Sequence, residues 1–175
     1  WHLKMKSYRT AYENFNRAHD TKRILEILED PENVTNDFAD FEGSLQMFSE
    51  TPRALLCQYP IAYLQYIGLL LSSGDAEATK DGVNRLDELN AVYESAEDLP
   101  EEKKNRVLAE ISGLRIFAAF NDVKKMLACV KEASQLLGGG ASVLFKKENE
   151  FTFGSPHFLY LYYRQAGRFK ETADI

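Results

Sequence analysis

"PIAYLQYIGLLLSSGDAEATKDGVNRLDEL", residues 60–89, decides the fold. Its first half is aliphatic and aromatic, its second half amphipathic, and Gly74-Asp75 stands between them. Pro60 can open a helix, because the N–H that proline lacks has no intrahelical partner there. Glycine suits the left-handed residue that closes a helix. Aspartate next to it can accept from the free amides that begin the following helix. The stretch therefore predicts two helices running antiparallel through a two-residue turn.

The same pattern occurs at three other places. It spans residues 8–30 with its turn at His19-Asp20, residues 110–137 with its turn at Asn121-Asp122, and residues 156–175 with its turn at Gly167-Arg168. The turns are about 55, 47 and 46 residues apart, and extra helices near 37–57 fill the first interval. Expected helices cover 4–18, 20–29, 37–49, 52–57, 60–73, 75–96, 100–120, 122–137 and 156–166, with another beginning at 168. No sustained period-two alternation with turn signals is present. "ASVLF", 141–145, has strand-like composition without a pairing partner. The fold class is all-α, and irregular helix pairs at this spacing predict an α-solenoid over residues 1–175.

Prolines mark other boundaries. Thr51-Pro52 and Ser155-Pro156 read as an N-cap followed by the first helical residue. Pro31, after "ILEILED", ends a helix. Leu99-Pro100-Glu101-Glu102 places two carboxylates in a first turn, at the positive end of the helix dipole.

Composition narrows the function. The net charge is −6 and the basic residues cluster only as pairs, Lys103-Lys104, Lys124-Lys125 and Lys146-Lys147. An acidic chain without a basic patch is not expected to bind nucleic acid itself. Cys57 and Cys129 lie in separate apolar stretches with no CxxC, which predicts free thiols and a cytoplasmic setting. The apolar run around "YIGLLL" is far short of a bilayer's thickness, so no membrane is expected as a partner.

No catalytic constellation is legible, and an enzyme is not expected. His2, His19 and His157 match no metal-ligand spacing. "FGSPH" is not a nucleophile elbow, and the acids of "YESAEDLPEEKKNR" read as solvated. Gly138-Gly139-Gly140 lacks the Gly-Lys pair of a phosphate loop, so no cofactor is expected. No helix pair offers the basic and amide side chains of a DNA-reading helix.

"YYRQAGRFKETA", 162–173, follows the tetratricopeptide consensus across the turn between paired helices. Tyr163 stands at an aromatic packing position, Gly167 at the turn, Phe169 just after it, and Thr172 where alanine is usual. Tyr160 is larger than the small residue normally facing the second helix. This resemblance implies a right-handed array. Five segments in order carry a further resemblance: "RILEILEDPEN", "QYPIAYLQY", "LPEEKKNRVLAEISGLRIFAAFNDVKKM", "ASQLLGG" and "FTFGSPHFLYLYYRQAG". Together, from Tyr8 to Phe169, they resemble the helical region of large ATP-dependent LuxR-type transcriptional regulators, the family of the maltose-operon activator.

That likeness implies a sensor and scaffold region, set between a nucleotide-binding domain and a DNA-binding domain that this sequence does not contain. Beginning on Trp1 and ending just inside a helix, the sequence reads as a piece of a longer chain. DNA would be reached only through a domain outside it. The implied partners are a small-molecule effector or a protein, with self-association through the aromatic surface at 160–169. In tetratricopeptide arrays the first helix of each pair lines the concave face. The likeness puts Arg9, Glu13, Asn16, Arg115, His157 and Arg164 there as candidate binding residues, whose arginines suit an anionic ligand or a partner's carboxylate. Leu64, Gly68 and Leu71 of the second pair read as core. A plain protein-recruiting scaffold is the alternative.

Overall fold

The computed structural model describes residues 8–34, 41–119 and 122–145. Among these, the chain is all-α. The first pair is α1 (Tyr8–Arg17) and α2 (Thr21–Leu28), followed by a 3-10 turn at Pro31–Asn33. Two short helices, α3 (Ser44–Glu50) and α4 (Arg53–Leu56), lead into the second pair, α5 (Pro60–Ser72) and α6 (Ala76–Glu94). The third pair is α7 (Glu101–Ala118) and α8 (Val123–Leu137). The fourth turn and its helices lie outside the described residues.

Each described pair is turned by the device its sequence suggests. The carboxylates of Asp20, Asp75 and Asp122 accept from the backbone N–H of Arg23, Ala78 and Lys125 at 3.2, 2.7 and 3.2 Å. These are first-turn amides that a helix cannot satisfy by itself. Gly74 has φ +75° and His19 φ +55°, so both hold the left-handed position ahead of their aspartates. Histidine takes it at a steric cost that glycine avoids.

Packing runs mainly between neighbours. α2 lies against α5, α5 against α6, α6 against α7 and α7 against α8, while α5 also reaches α7. This makes α5 the central element. Ile61 through Gly68 are all buried, with Leu70 and Leu71, so the helix is apolar on every side. Leu64, Gly68 and Leu71 are core, as read from the sequence. The rings of Phe48 and Tyr66 stack at 4.8 Å and bring α3 onto α5.

The first and second pairs are joined by reciprocal capping. Tyr59 precedes α5 and supplies no side-chain cap. Glu29, at the end of α2, reaches across instead. Its Oε2 accepts from the backbone N–H of Ile61 at 2.8 Å and of Ala62 at 3.2 Å. In return, Gln65 Nε2 of α5 donates to the Leu28 carbonyl at 2.9 Å, near the C-terminus of α2. Positive and negative helix ends thus each receive a complementary side chain from the other helix.

A buried carboxylate organises the end of the described chain. Ser142–Phe145 form no strand; the segment bends back against α7. Glu110 accepts from the Ser142 hydroxyl at 2.6 Å and from the Val143 and Leu144 amides at 2.6 and 3.3 Å. These amides therefore go to a carboxylate rather than to a strand partner. The Phe145 ring fits over Gly113, where an added Cβ would lie 2.6 Å from it.

The expectation at Thr51-Pro52 needs correcting. Thr51 closes α3, its hydroxyl donating to the Met47 carbonyl at 2.7 Å, and Pro52 rather than Thr51 holds the N-cap of α4. Threonine can satisfy a carbonyl four residues back as readily as a following amide. Pro31 follows the end of α2 and itself begins the 3-10 turn.

Candidate functional site

Four of the six candidate residues fall in the described chain. Arg9, Glu13 and Asn16 lie on α1, and Arg115 lies on α7. His157 and Arg164 lie outside it, as does the aromatic surface at 160–169. Arg9 pairs with Glu13 one turn on, Nε to Oε1 at 3.6 Å, with Arg9 largely in solvent. Asn16 Nδ2 donates to the Glu42 carbonyl at 3.1 Å and ties α1 to the approach to α3. Arg115 is held by Asp87 of α6 at 3.0 Å. Both described arginines are therefore matched to carboxylates of their own chain.

Asn16 also borders an open groove of about 390 Å³ between the α1–α2 turn and α3–α4. His19, Thr21, Gln46 and Glu50 supply further polar atoms, while Met47 and Leu55 supply apolar surface. Among the described residues, no lysine or arginine lines this groove. Its described walls offer amides, hydroxyls, an imidazole and one carboxylate. This chemistry suits a neutral or cationic polar group better than an anion. Gln46 Nε2 donates to Glu50 Oε1 at 2.7 Å and holds that carboxylate along the groove's edge.

Sequence reasoning missed a polar cluster between α4, α5 and α6. Arg85 of α6 is 8% exposed, donates Nε to Asp81 at 2.7 Å and Nη1 to the Tyr63 hydroxyl at 3.2 Å. Its guanidinium lies 5.3 Å from the Tyr66 ring centre and 6.0 Å from that of Tyr63. Arg53 of α4 contacts Asp81 at 3.5 Å and also pairs with Glu88. Asp81, Arg85 and Glu88 recur at helical spacing, which was the legible signal. The two guanidiniums face two carboxylates, so the cluster is charge-balanced and binds α4, α5 and α6 together. Burial pushes the Tyr63 and Tyr66 phenols up, against the pull of Arg85.

Cys57 and Cys129 are free and half-buried, and burial raises both thiols above their ordinary value, which disfavours the nucleophilic thiolate. Among the described residues no group of three or more His, Cys, Asp or Glu side chains is arranged to hold a metal ion. None of the described helices is long and apolar enough to cross a membrane.

Compared with protein-family models, with curated proteins and with solved structures, the chain matches none.

Proposed function

We propose that this chain is a right-handed tetratricopeptide-like solenoid, the sensor and scaffold region of a bacterial, cytoplasmic LuxR-type transcriptional regulator. The observation that carries the array is the neighbour-to-neighbour packing of pairs whose turns share one aspartate cap. The regulator reading rests on the five ordered segments that resemble that family. In it, the chain has no chemistry of its own and needs no cofactor. It binds an effector or a protein, and a difference in affinity between two states of the full regulator transmits the signal.

The groove beside Asn16 is the proposed effector seat, and its lining favours a neutral or cationic polar ligand. Titration of the isotope-labelled chain with panels of neutral, cationic and anionic metabolites tests this by amide shifts. Saturable shifts centred on Asn16, Thr21 and Gln46, weakened in Asn16→Ala, are expected from neutral or cationic compounds. Shifts confined to other surfaces, or an unresponsive groove, would contradict the effector seat.

The second reading, a scaffold that recruits proteins and has no small-molecule switch, is favoured by one observation. Arg9 and Arg115 are already paired with Glu13 and Asp87. An anionic effector would have to displace these carboxylates.

A further inference from the structure

The groove between the α1–α2 turn and α3–α4 turns several of its own donors back onto the protein. Asn16 Nδ2 donates to the Glu42 carbonyl at 3.1 Å, and Gln46 Nε2 to Glu50 Oε1 at 2.7 Å. The Thr51 hydroxyl, in a side chain only 8% exposed, donates to the Met47 carbonyl at 2.7 Å. A carbonyl or an ionised carboxylate can only accept, so each partner fixes which way the amide or hydroxyl is turned. Gly43 pins Asn16 further: its φ is +79°, and a Cβ there would lie 2.6 Å from Asn16 Nδ2.

These bonds leave mainly acceptors over: Asn16 Oδ1, Gln46 Oε1, Glu50 Oε2 and the lone pairs of the Thr51 oxygen. None of them receives a donor among the described residues. Each amide nitrogen keeps one N–H, and Thr21 and His19 can also donate, but the acceptors outnumber them. Arg17, the residue after Asn16, points to Glu42 at 3.7 Å. Met47, Pro52 and Leu55 make the rest of the wall apolar. Among the described residues no Phe, Tyr or Trp lines the groove, so a quaternary ammonium finds no such ring face there.

We infer that the groove takes a primary alkylammonium, its N–H donors on Glu50 and the amide and hydroxyl oxygens, its stem along Met47 and Leu55. Such a head group donates and never accepts, which is the complement of these walls. Its bond to Glu50 is charge-assisted, and the net charge of −6 favours the approach of a cation. A neutral amide meets the same oxygens without the charge, and a trimethylated ammonium brings the charge without the donors. The inference narrows, and rests on, the reading of this groove as the effector seat.

Amide shifts of the isotope-labelled chain are followed with butylammonium, butyltrimethylammonium, butyramide and butyrate. Butylammonium is expected to give saturable shifts centred on Asn16, Gln46 and Thr51, and to bind at least about tenfold more tightly than the other three. Glu50→Gln should lower that affinity by a similar factor. Butyltrimethylammonium or butyramide binding the groove as tightly would overturn the ammonium and leave the effector seat standing. Butylammonium shifts scattered over the acidic surface, or unchanged in Glu50→Gln, would reduce the effect to bulk charge attraction and overturn it as well. A groove silent to butylammonium also overturns it; the effector seat falls too only when neutral and cationic metabolites leave the groove silent. Should Glu50→Gln fail to fold, the ranking of the four probes on the unaltered chain decides alone.

Discussion

Glu110 Oε1 accepts the backbone N–H of Val143 at 2.6 Å, joining the middle of α7 to a residue 33 positions further along. The Leu144 amide and the Ser142 hydroxyl share the same carboxylate. Removing it strands buried donors, and each stranded group costs about 1–3 kcal/mol. Glu110→Ala is therefore expected to destabilise the chain by roughly 2–4 kcal/mol in urea unfolding. Burial raises this carboxyl, against the pull of its donors and of Arg106. Its contribution is consequently fullest at acid pH and is lost as pH rises through its folded value. Replacing Glu110 should flatten that part of the stability profile.

The three aspartate caps act locally and apart from one another. Asp20→Ala, Asp75→Ala and Asp122→Ala should each cost about 1 kcal/mol, and the triple variant should cost close to their sum. Thermal and chemical unfolding of the set measures this. A markedly smaller cost at one turn would mean that its helix start is satisfied otherwise.

Arg85 and Arg53 share Asp81, yet their environments differ. Arg85 is nearly enclosed by Tyr63, Tyr66 and Asp81, whereas the Arg53 side chain is about half exposed. Arg85→Ala removes a buried charge partner and the stem packed on two rings, and should cost about 3 kcal/mol. Arg53→Ala should cost under about 1 kcal/mol, because water screens its pairs. Equal losses would show that burial does not rank the two.

Tyr12 is 4% exposed, and its hydroxyl has no partner among the described residues. Burial pushes that phenol up to about 12. Tyr12→Phe keeps the ring against Phe41 and deletes the unmatched hydroxyl. Stability should stay level or rise by up to about 1 kcal/mol. A clear loss would reveal a partner for that oxygen.

Much of the fold was readable because its signals are local. His19-Asp20, Gly74-Asp75 and Asp122 announce turns through the backbone of a few neighbouring residues. The periodic halves around them give the helices to within a few residues. Thr51 misled because threonine caps either end of a helix, and its neighbour Pro52 suits a first turn as well as the position before it.

The carboxylate joints were hidden for the opposite reason. Glu29 finds Ile61 32 residues away and Glu110 finds Val143 33 residues away, distances over which sequence gives no register. One clue was present. Glu110 sits inside "VLAEISGL", a lone acid in an apolar run with no basic residue one turn on to match it. At the candidate site, α1 was placed correctly as a helix and Arg9 pairs with Glu13 one turn on, but the partner of Asn16 comes from a distant loop. Asn16 meets the Glu42 carbonyl, which no spacing rule predicts.

Hydrogen exchange at the Ile61 and Ala62 amides tests most directly whether the second pair is seated on the first. First-turn amides have no acceptor within their own helix, so protection there must come from outside it. With Glu29 in place, both amides should exchange as slowly as those in the middle of α5, and Glu29→Ala should release both. Exchange at Ile61 and Ala62 as fast as at an open helix start in the unaltered chain would contradict the stacking of the two pairs.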